Sequence, residues 1–315
     1  MATLRAIARA MRPHQWIKNL LCIVPVLFTG HLGDTNKVMG SLIAVAAFCA
    51  AASAVYLFND LRDQEKDKLH PIKRHRPIAS GELSRGCAVL ALILCVLTAF
   101  GTALTTNMTF VAVVAVYLLQ NVAYACGLKQ VVILDVMLVA NGFLLRAAGG
   151  AFAIDVTAAP WMVLCTLSLA MLVALGKRRH EITLLEDSGS HRHTLAEYSP
   201  EFLDQSMAIA GAASMVMYSL YTLSAYATET YGSQAMVLSV PMILYAIFRF
   251  VFLVRQKHKG GEPTKLFIMD RPLLINGVLW LAVCIYAIYG PSDWLPWWRF
   301  GYFEDALPNA ASPGL

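Results

Sequence analysis

Apolar residues fall along this chain in long blocks separated by short polar stretches, rather than in the short alternating segments of barrel strands. A bilayer-spanning helix needs roughly 20 mostly apolar residues. The pattern predicts about nine such helices, at 17–33, 38–58, 86–105, 108–126, 131–153, 159–176, 205–227, 235–254 and 272–290. Helices satisfy their own backbone polar groups in hydrocarbon, so the expected architecture is an all-α, polytopic membrane bundle.

No secure internal repeat, low-complexity block or soluble second domain interrupts the series. The expectation is one transmembrane domain over 1–315, with a cytoplasmic N-terminal segment at 1–16 and an external C-terminal tail at 291–315. Arg5, Arg9 and Arg12 ahead of an apolar run resemble a secretory signal. No small-residue cleavage site follows and further spans come at once, so an uncleaved first helix and a full-length chain are expected.

Composition agrees with the pattern. A chain that is 58% hydrophobic and 14% charged, with mean hydropathy +0.58, lacks the polar residues to cover a soluble surface. Charge placement adds orientation. Of 25 Lys and Arg, 21 lie near the N-terminus or in the even-to-odd loops, whereas Lys37 and Arg299 fall on the opposite side. Arg146 and Arg249 sit inside spans. By the positive-inside rule the N-terminus and large polar loops face the cytoplasm, in a plasma (inner) membrane. The net charge of +5 then reports topology, and no nucleic-acid partner is implied. The seven cysteines form no C-x-x-C pair and read as small buried hydrophobes.

The stretch 56–81 gathers four acids and six bases directly after the second span. Asn59, Asp60, Asp63 and Asp67 fall within about a quarter of a helical circumference at 100° per residue. Such an oxygen-rich stripe repels itself unless a cation sits within it, and hard oxygen donors suit Mg²⁺, which is commonly shared with substrate phosphates. A solvated helix end with i, i+4 pairs is the plain alternative. The loop that follows carries Lys66, Lys68, Lys73, Arg74 and Arg76, with Pro71 and Pro77 predicting a stiff, non-helical course. These bases suit phosphate oxygens or lipid headgroups.

A second polar island, 175–199, lies between the sixth and seventh spans. Lys177 and Arg178 are candidate phosphate ligands and Glu181 a candidate addition to the metal site; Tyr198 is a candidate hydrogen-bond donor or interface anchor. His180, His191 and His193 have poor zinc spacing and read as surface or phosphate-contacting histidines. Arg146, expensive in hydrocarbon, marks either a cavity or a structural pair with Asp135 or Asp155. Gly142, Gly149, Gly150 and neighbouring alanines would permit close helix packing there.

These residues resemble the UbiA superfamily of intramembrane prenyltransferases over nearly the whole chain: about nine spans, N-D-x-x-D-x-x-x-D after the second and a polar motif after the sixth. Within it, MRPHQWIKN (11–19), residues 51–81, YACGLKQ (124–130), GKRRHE (176–181) and GGEP before DRP (260–272) are most similar to a phosphoribosyltransferase branch. The resemblance implies transfer of 5-phosphoribose from phosphoribosyl pyrophosphate to a polyprenyl (decaprenyl) phosphate, with release of diphosphate, for a lipid-linked arabinose donor and cell-envelope glycan. It implies that Asn59, Asp60, Asp63 and Asp67 hold a Mg²⁺-diphosphate; Lys18, Lys73, Arg74, Arg76, Lys129, Lys177 and Arg178 are unranked candidate clamps for the 5-phosphate, and Asn19, Arg146 and Tyr198 are further candidate substrate-binding residues.

The superfamily's second motif is usually aspartate-rich, whereas here it reads Lys-Arg-Arg-His-Glu, leaving Glu181 as the only close carboxylate. A two-metal site is thereby weakened. An aromatic prenyltransferase using a polyprenyl diphosphate is the rival enzyme, and a lipid-binding or transport protein the rival from another class; no inverted-repeat signal favours transport. A homo-oligomer remains open.

Overall fold

The computed structural model describes residues 2–157, 160–186, 195, 197–231, 234–257, 261 and 263–290. The expected external tail at 291–315, and with it Arg299, lies outside them, as do His191 and His193.

All the regular elements described are helical. They run α1 Ala2–Met11, a 3₁₀ segment Pro13–Ile23, α2 Val24–Phe28, α3 Thr35–Arg62, α4 Gln64–Leu69, α5 Arg85–Leu104, α6 Met108–Cys126 and α7 Leu134–Ala153. The second half holds α8 Pro160–Glu186, α9 Pro200–Leu223, α10 Ala225–Tyr231, α11 Val240–Lys257, α12 Pro263–Met269 and α13 Arg271–Tyr289. Among the described residues eight helices are long and apolar enough to cross a membrane: α3, α5 to α9, α11 with the turn before it, and α13. The chain is a multi-pass membrane bundle.

The expected first span at 17–33 departs from a regular α-helix. Pro25 has no amide hydrogen to give the Leu21 carbonyl, which instead accepts from Val24 in a tighter i, i+3 bond. Eleven 3₁₀ residues at roughly 2.0 Å rise and five α residues at roughly 1.5 Å still extend about 30 Å, a bilayer core's thickness. Three residues per turn place Trp16, Asn19 and Cys22 on one face. Trp16 Nε1 donates to Ser53 Oγ (3.1 Å) and Asn19 Nδ2 to Cys49 Sγ (3.2 Å), both on α3. The Cys22 carbonyl packs against Gly150 of α7 so closely that a Cβ there would collide with it. The far end is tied by Tyr231 Oη donating to Phe28 O (2.6 Å) and Tyr289 Oη to Leu27 O (2.8 Å).

Asp34, Ser84, Asn107, Ser199 and Asp270 cap the helices that follow them, each accepting from a backbone amide of the first turn. The end of α3, the starts of α5, α7 and α9, and the ends of α6 and α8 gather at one end of the bundle, where nearly all the polar side chains of interest lie. α1 packs there too, its small residues Ala6 and Ala10 fully buried beside Leu57, Ile78 and Leu83, while Arg9 pairs with Glu82 at 2.5 Å.

Candidate active site

The oxygen-rich stripe begins on α3 and survives a break in it. The helix ends at Asp63, yet Asp63 N donates to Asn59 O (2.9 Å) and Asp67 N to Asp63 O (2.8 Å), so four-residue spacing carries across into α4. Asn59, Asp60 and Asp63 line a cavity of about 280 Å³. Asp67, almost fully buried, lies behind Arg76, whose Nη1 bridges Asp67 Oδ2 (2.7 Å) and Asp60 Oδ1 (3.1 Å). The same Asp60 oxygen accepts from Arg12 Nη2 at 2.6 Å. Lys129 lies 3.6 Å from Asp63 Oδ2.

The proline-bracketed loop is as expected except that Lys73–His75 make a single 3₁₀ turn. It brings Lys73 and Arg76 to the cavity, while Arg74 points to its neighbour His75 instead. Lys177 and Arg178 arrive from the end of α8, and Lys129 from the turn before α7. Six bases, with Arg12 as the sixth, thus face two acids, Asp60 and Asp63, around one cavity. Tyr56 and Tyr124 complete its polar lining.

Glu181 does not join the acids. It accepts from Arg178 Nη1 and lies 3.8 Å from Lys177, because a residue three or four positions along α8 from these bases shares their face. Tyr198 stands outside this cavity. Its hydroxyl donates to Asp135 Oδ1 (2.7 Å) and accepts from Ile133 N (2.6 Å). Burial, reinforced by the Asp135 bond, raises its pKa above the ordinary tyrosine value, so it stays a protonated donor.

Arg146 and Asn19 form a separate buried group. Arg146 Nε donates to Asn19 Oδ1 (2.7 Å), Nη1 to Gly142 O (2.6 Å) and Nη2 to Tyr117 Oη (2.7 Å), with the guanidinium 4.8 Å from the Tyr117 ring centre. The expected pairing with Asp135 or Asp155 is corrected. Those residues lie about 16 and 13 Å along the axis of α7 from Arg146, beyond its reach; Asp135 pairs with Arg178, and Asp155 accepts from Asn107. Arg146 lines neither the polar cavity nor the apolar one beside it.

That apolar cavity, about 430 Å³, runs along α8 below the polar one. Cys165, Thr166, Leu169, Ala170 and Val173 line it, and the next positions, Ala174, Lys177 and Arg178, line the polar cavity. Lys18, Phe143, Tyr221, Phe267 and Trp280 close its sides. One helix therefore lines both an oily cavity and a basic chamber.

Three polar residues of the chamber carried no site expectation: Arg12, read only for topology, and Tyr56 and Tyr124. All three lie within the segments that carry the resemblance, which was the available signal.

Residues 19–271 match the family model described as the UbiA prenyltransferase family. The chain belongs to this family. Among curated relatives it is 36% identical over 294 residues to the decaprenyl-phosphate phosphoribosyltransferase of Mycolicibacterium smegmatis, covering 89% of this chain and 92% of that one. It is 33% identical over 288 residues to the enzyme of the same name from Corynebacterium glutamicum, covering 89% and 86%. The fold is similar to that of a UbiA homolog from Archaeoglobus fulgidus solved with DMAPP and Mg²⁺, with TM-score 0.69 and 18% identity over 90% of this chain and 98% of that one. Membership of the UbiA family and the helical bundle agree with the sequence-based expectation.

Among the described residues no three His, Cys, Asp or Glu side chains cluster as a metal site, since arginines stand beside the carboxylates. The donors still fit one hard divalent cation shared with a phosphate ligand. Asp60 Oδ2 is buried without a hydrogen-bond partner, at the wall of a cavity that also presents Asn59 and Asp63. Mg²⁺ takes one or two carboxylates alongside substrate phosphates.

Proposed function

We propose that this UbiA-family protein transfers 5-phosphoribose from phosphoribosyl pyrophosphate to a polyprenyl phosphate, releasing diphosphate. The observation that carries this reading is the six-to-two excess of bases over acids in a chamber that shares α8 as a wall with an apolar cavity. A phosphosugar diphosphate beside a lipid phosphate is a dense polyanion with one long apolar tail, and the two cavities match those two requirements. The named activity of the curated relatives supports the same assignment.

In this reading Asn59, Asp60 and Asp63 hold Mg²⁺, with Asp67 behind them fixing Arg76. When bound, the ion neutralises part of the diphosphate's charge and so improves it as a leaving group. Arg12, Lys73, Arg76, Lys129, Lys177 and Arg178 supply the remaining positive charge around the phosphates. Lys18, a charged residue in the lining of the apolar cavity, is the candidate to meet the incoming lipid phosphate. The chain needs no general base, because the attacking lipid phosphate is already anionic at neutral pH. Its tasks are to hold donor and acceptor in line and to favour charge separation at C1 of the ribose, which predicts inversion there.

We infer further that one domain spans the chain, in a plasma membrane, with the basic chamber on the cytoplasmic side. Charge asymmetry supports this orientation. A cysteine at exposed His75, in a background lacking native cysteines, is expected to react only with a reagent on the cytoplasmic face.

The activity is tested by incubating purified protein in detergent with Mg²⁺, labelled phosphoribosyl pyrophosphate and polyprenyl phosphate. A labelled lipid is expected. No labelled lipid, with polyprenyl transfer to an aromatic acceptor instead, would replace the reading with the rival enzyme.

A further inference from the structure

Arg178 forms part of the chamber wall, and the groups that fix it lead away from the chamber into the protein. Arg178 is 5% exposed. Its Nε donates to Asp135 Oδ2 (2.7 Å), Nη1 to Glu181 Oε2, and Nη2 to Tyr124 Oη (3.2 Å). A guanidinium has five N–H donors in a rigid fork, so three are committed and two remain for a ligand in the cavity that Arg178 lines.

Asp135, 1% exposed in the first turn of α7, holds that fork by one oxygen. Its other oxygen accepts from Tyr198, which lies 63 positions away in the turn before α9. Tyr198 in turn receives the amide of Ile133, a β-branched residue at φ +68°, in the left-handed region that such side chains avoid. Strain of this kind persists only where the surroundings enforce it. Here the enforced turn directs the amide just before α7 onto the phenol. Tyr198 lines an apolar groove of about 290 Å³ rather than the chamber, and its ring stacks on Phe202 with centroids 6.0 Å apart.

We propose that Tyr198 and Asp135 are positioning residues, forming a relay from the Ile133 amide through the phenol and carboxylate that holds Arg178 in one orientation for a phosphate group of the donor. The inference rests on the reading that the chamber takes a diphosphate. Tyr198 touches no substrate in this scheme, and any effect it has on phosphate binding passes through Asp135. A simple buried ion pair between Arg178 and Asp135 would leave the phenol irrelevant to ligand binding.

The test uses Tyr198→Phe, which keeps the ring and its stack on Phe202 but removes the hydroxyl, together with Arg178→Lys and the double variant. Binding of inorganic diphosphate in the presence of Mg²⁺ is measured on full-length protein in detergent. Tyr198→Phe and Arg178→Lys are each expected to weaken binding about tenfold, the scale of one hydrogen bond to a charged group. The double variant should bind no worse than Arg178→Lys alone, since both changes break the same relay. Asp135→Asn should reproduce the pattern, and it carries the test if Tyr198→Phe does not fold. In transfer assays the KM for the donor should rise more than kcat falls. Wild-type diphosphate binding by the relay variants, or losses that simply add, would overturn the proposal. Coupled diphosphate binding without any transfer from phosphoribosyl pyrophosphate would instead remove the donor assignment and leave the relay standing.

Discussion

Arg12 and Asp60, 48 positions apart, meet at 2.6 Å in the wall of the basic chamber. The contact depends on a backbone turn between α1 and the 3₁₀ segment. Pro13 disfavours the helical region for the residue before it, and Arg12 adopts φ +55°, which ends α1 and sends the guanidinium over the Tyr56 ring, 4.9 Å from its centre. A left-handed arginine costs on the order of 1–3 kcal/mol, a strain found most often at functional sites. The acid at the end of α3 is thereby matched to a base supplied by the N-terminal segment.

Arg12→Ala should therefore raise the KM for phosphoribosyl pyrophosphate, by about tenfold if one charge-assisted bond to phosphate is lost. Arg76 still neutralises Asp60 at 3.1 Å, so the protein should remain folded. Steady-state kinetics over a range of donor concentrations checks this, and an unchanged KM would leave Arg12 only a structural partner of Asp60.

Asp60→Asn and Asp63→Ala should each reduce transfer at least a hundredfold while the protein keeps its elution position and helical content. Arg12 and Arg76 are about one-quarter exposed and can turn to solvent when Asp60 loses its charge. Activity should not return when Mg²⁺ is raised. Near-normal turnover by either variant would remove these carboxylates from metal binding.

Gly150→Ala tests the packing of the first span. A methyl at this position would overlap the backbone of Cys22, which cannot move away as a flexible side chain could. Overpacking of this kind costs about 1–3 kcal/mol. The substitution should lower the melting temperature measured in detergent, and Gly277→Ala, where open space surrounds the site, should not.

The elements most legible in the sequence were those whose signal is local. Long apolar runs marked the helices, and Gly149 and Gly150 marked a close approach: a Cβ on Gly149 would lie 2.7 Å from Phe48. Four-residue spacing from Asn59 to Asp67 placed the acids together even though the helix breaks at Asp63. Pairings between distant elements were not legible. Asp135 could be read equally as the partner of Arg146, and only the packing of α7 on α8 gives it to Arg178. Likewise a hydrophobic run does not distinguish 3₁₀ from α geometry, so the course of residues 13–23 appeared only with Pro25 in its structural place.

Ligand-dependent stability distinguishes which substrate carries the diphosphate. A ligand stabilises the folded protein according to its occupancy of the native state. With Mg²⁺ present, a prenyl diphosphate offers one diphosphate to a chamber of six bases and two acids, leaving positive charge unmatched. Phosphoribosyl pyrophosphate offers the diphosphate and a second phosphate at C5, which can engage a chamber base that does not pair with Asp60, such as Lys177. It should therefore raise the melting temperature in detergent more than a prenyl diphosphate at equal occupancy of the apolar channel by detergent or lipid. Chelating Mg²⁺ should largely erase the difference, because Asp60 and Asp63 would then repel the diphosphate rather than share a cation with it. Strong stabilisation by the prenyl diphosphate, with none from phosphoribosyl pyrophosphate at saturation, would place the diphosphate on the lipid and make an aromatic prenyltransferase the better reading.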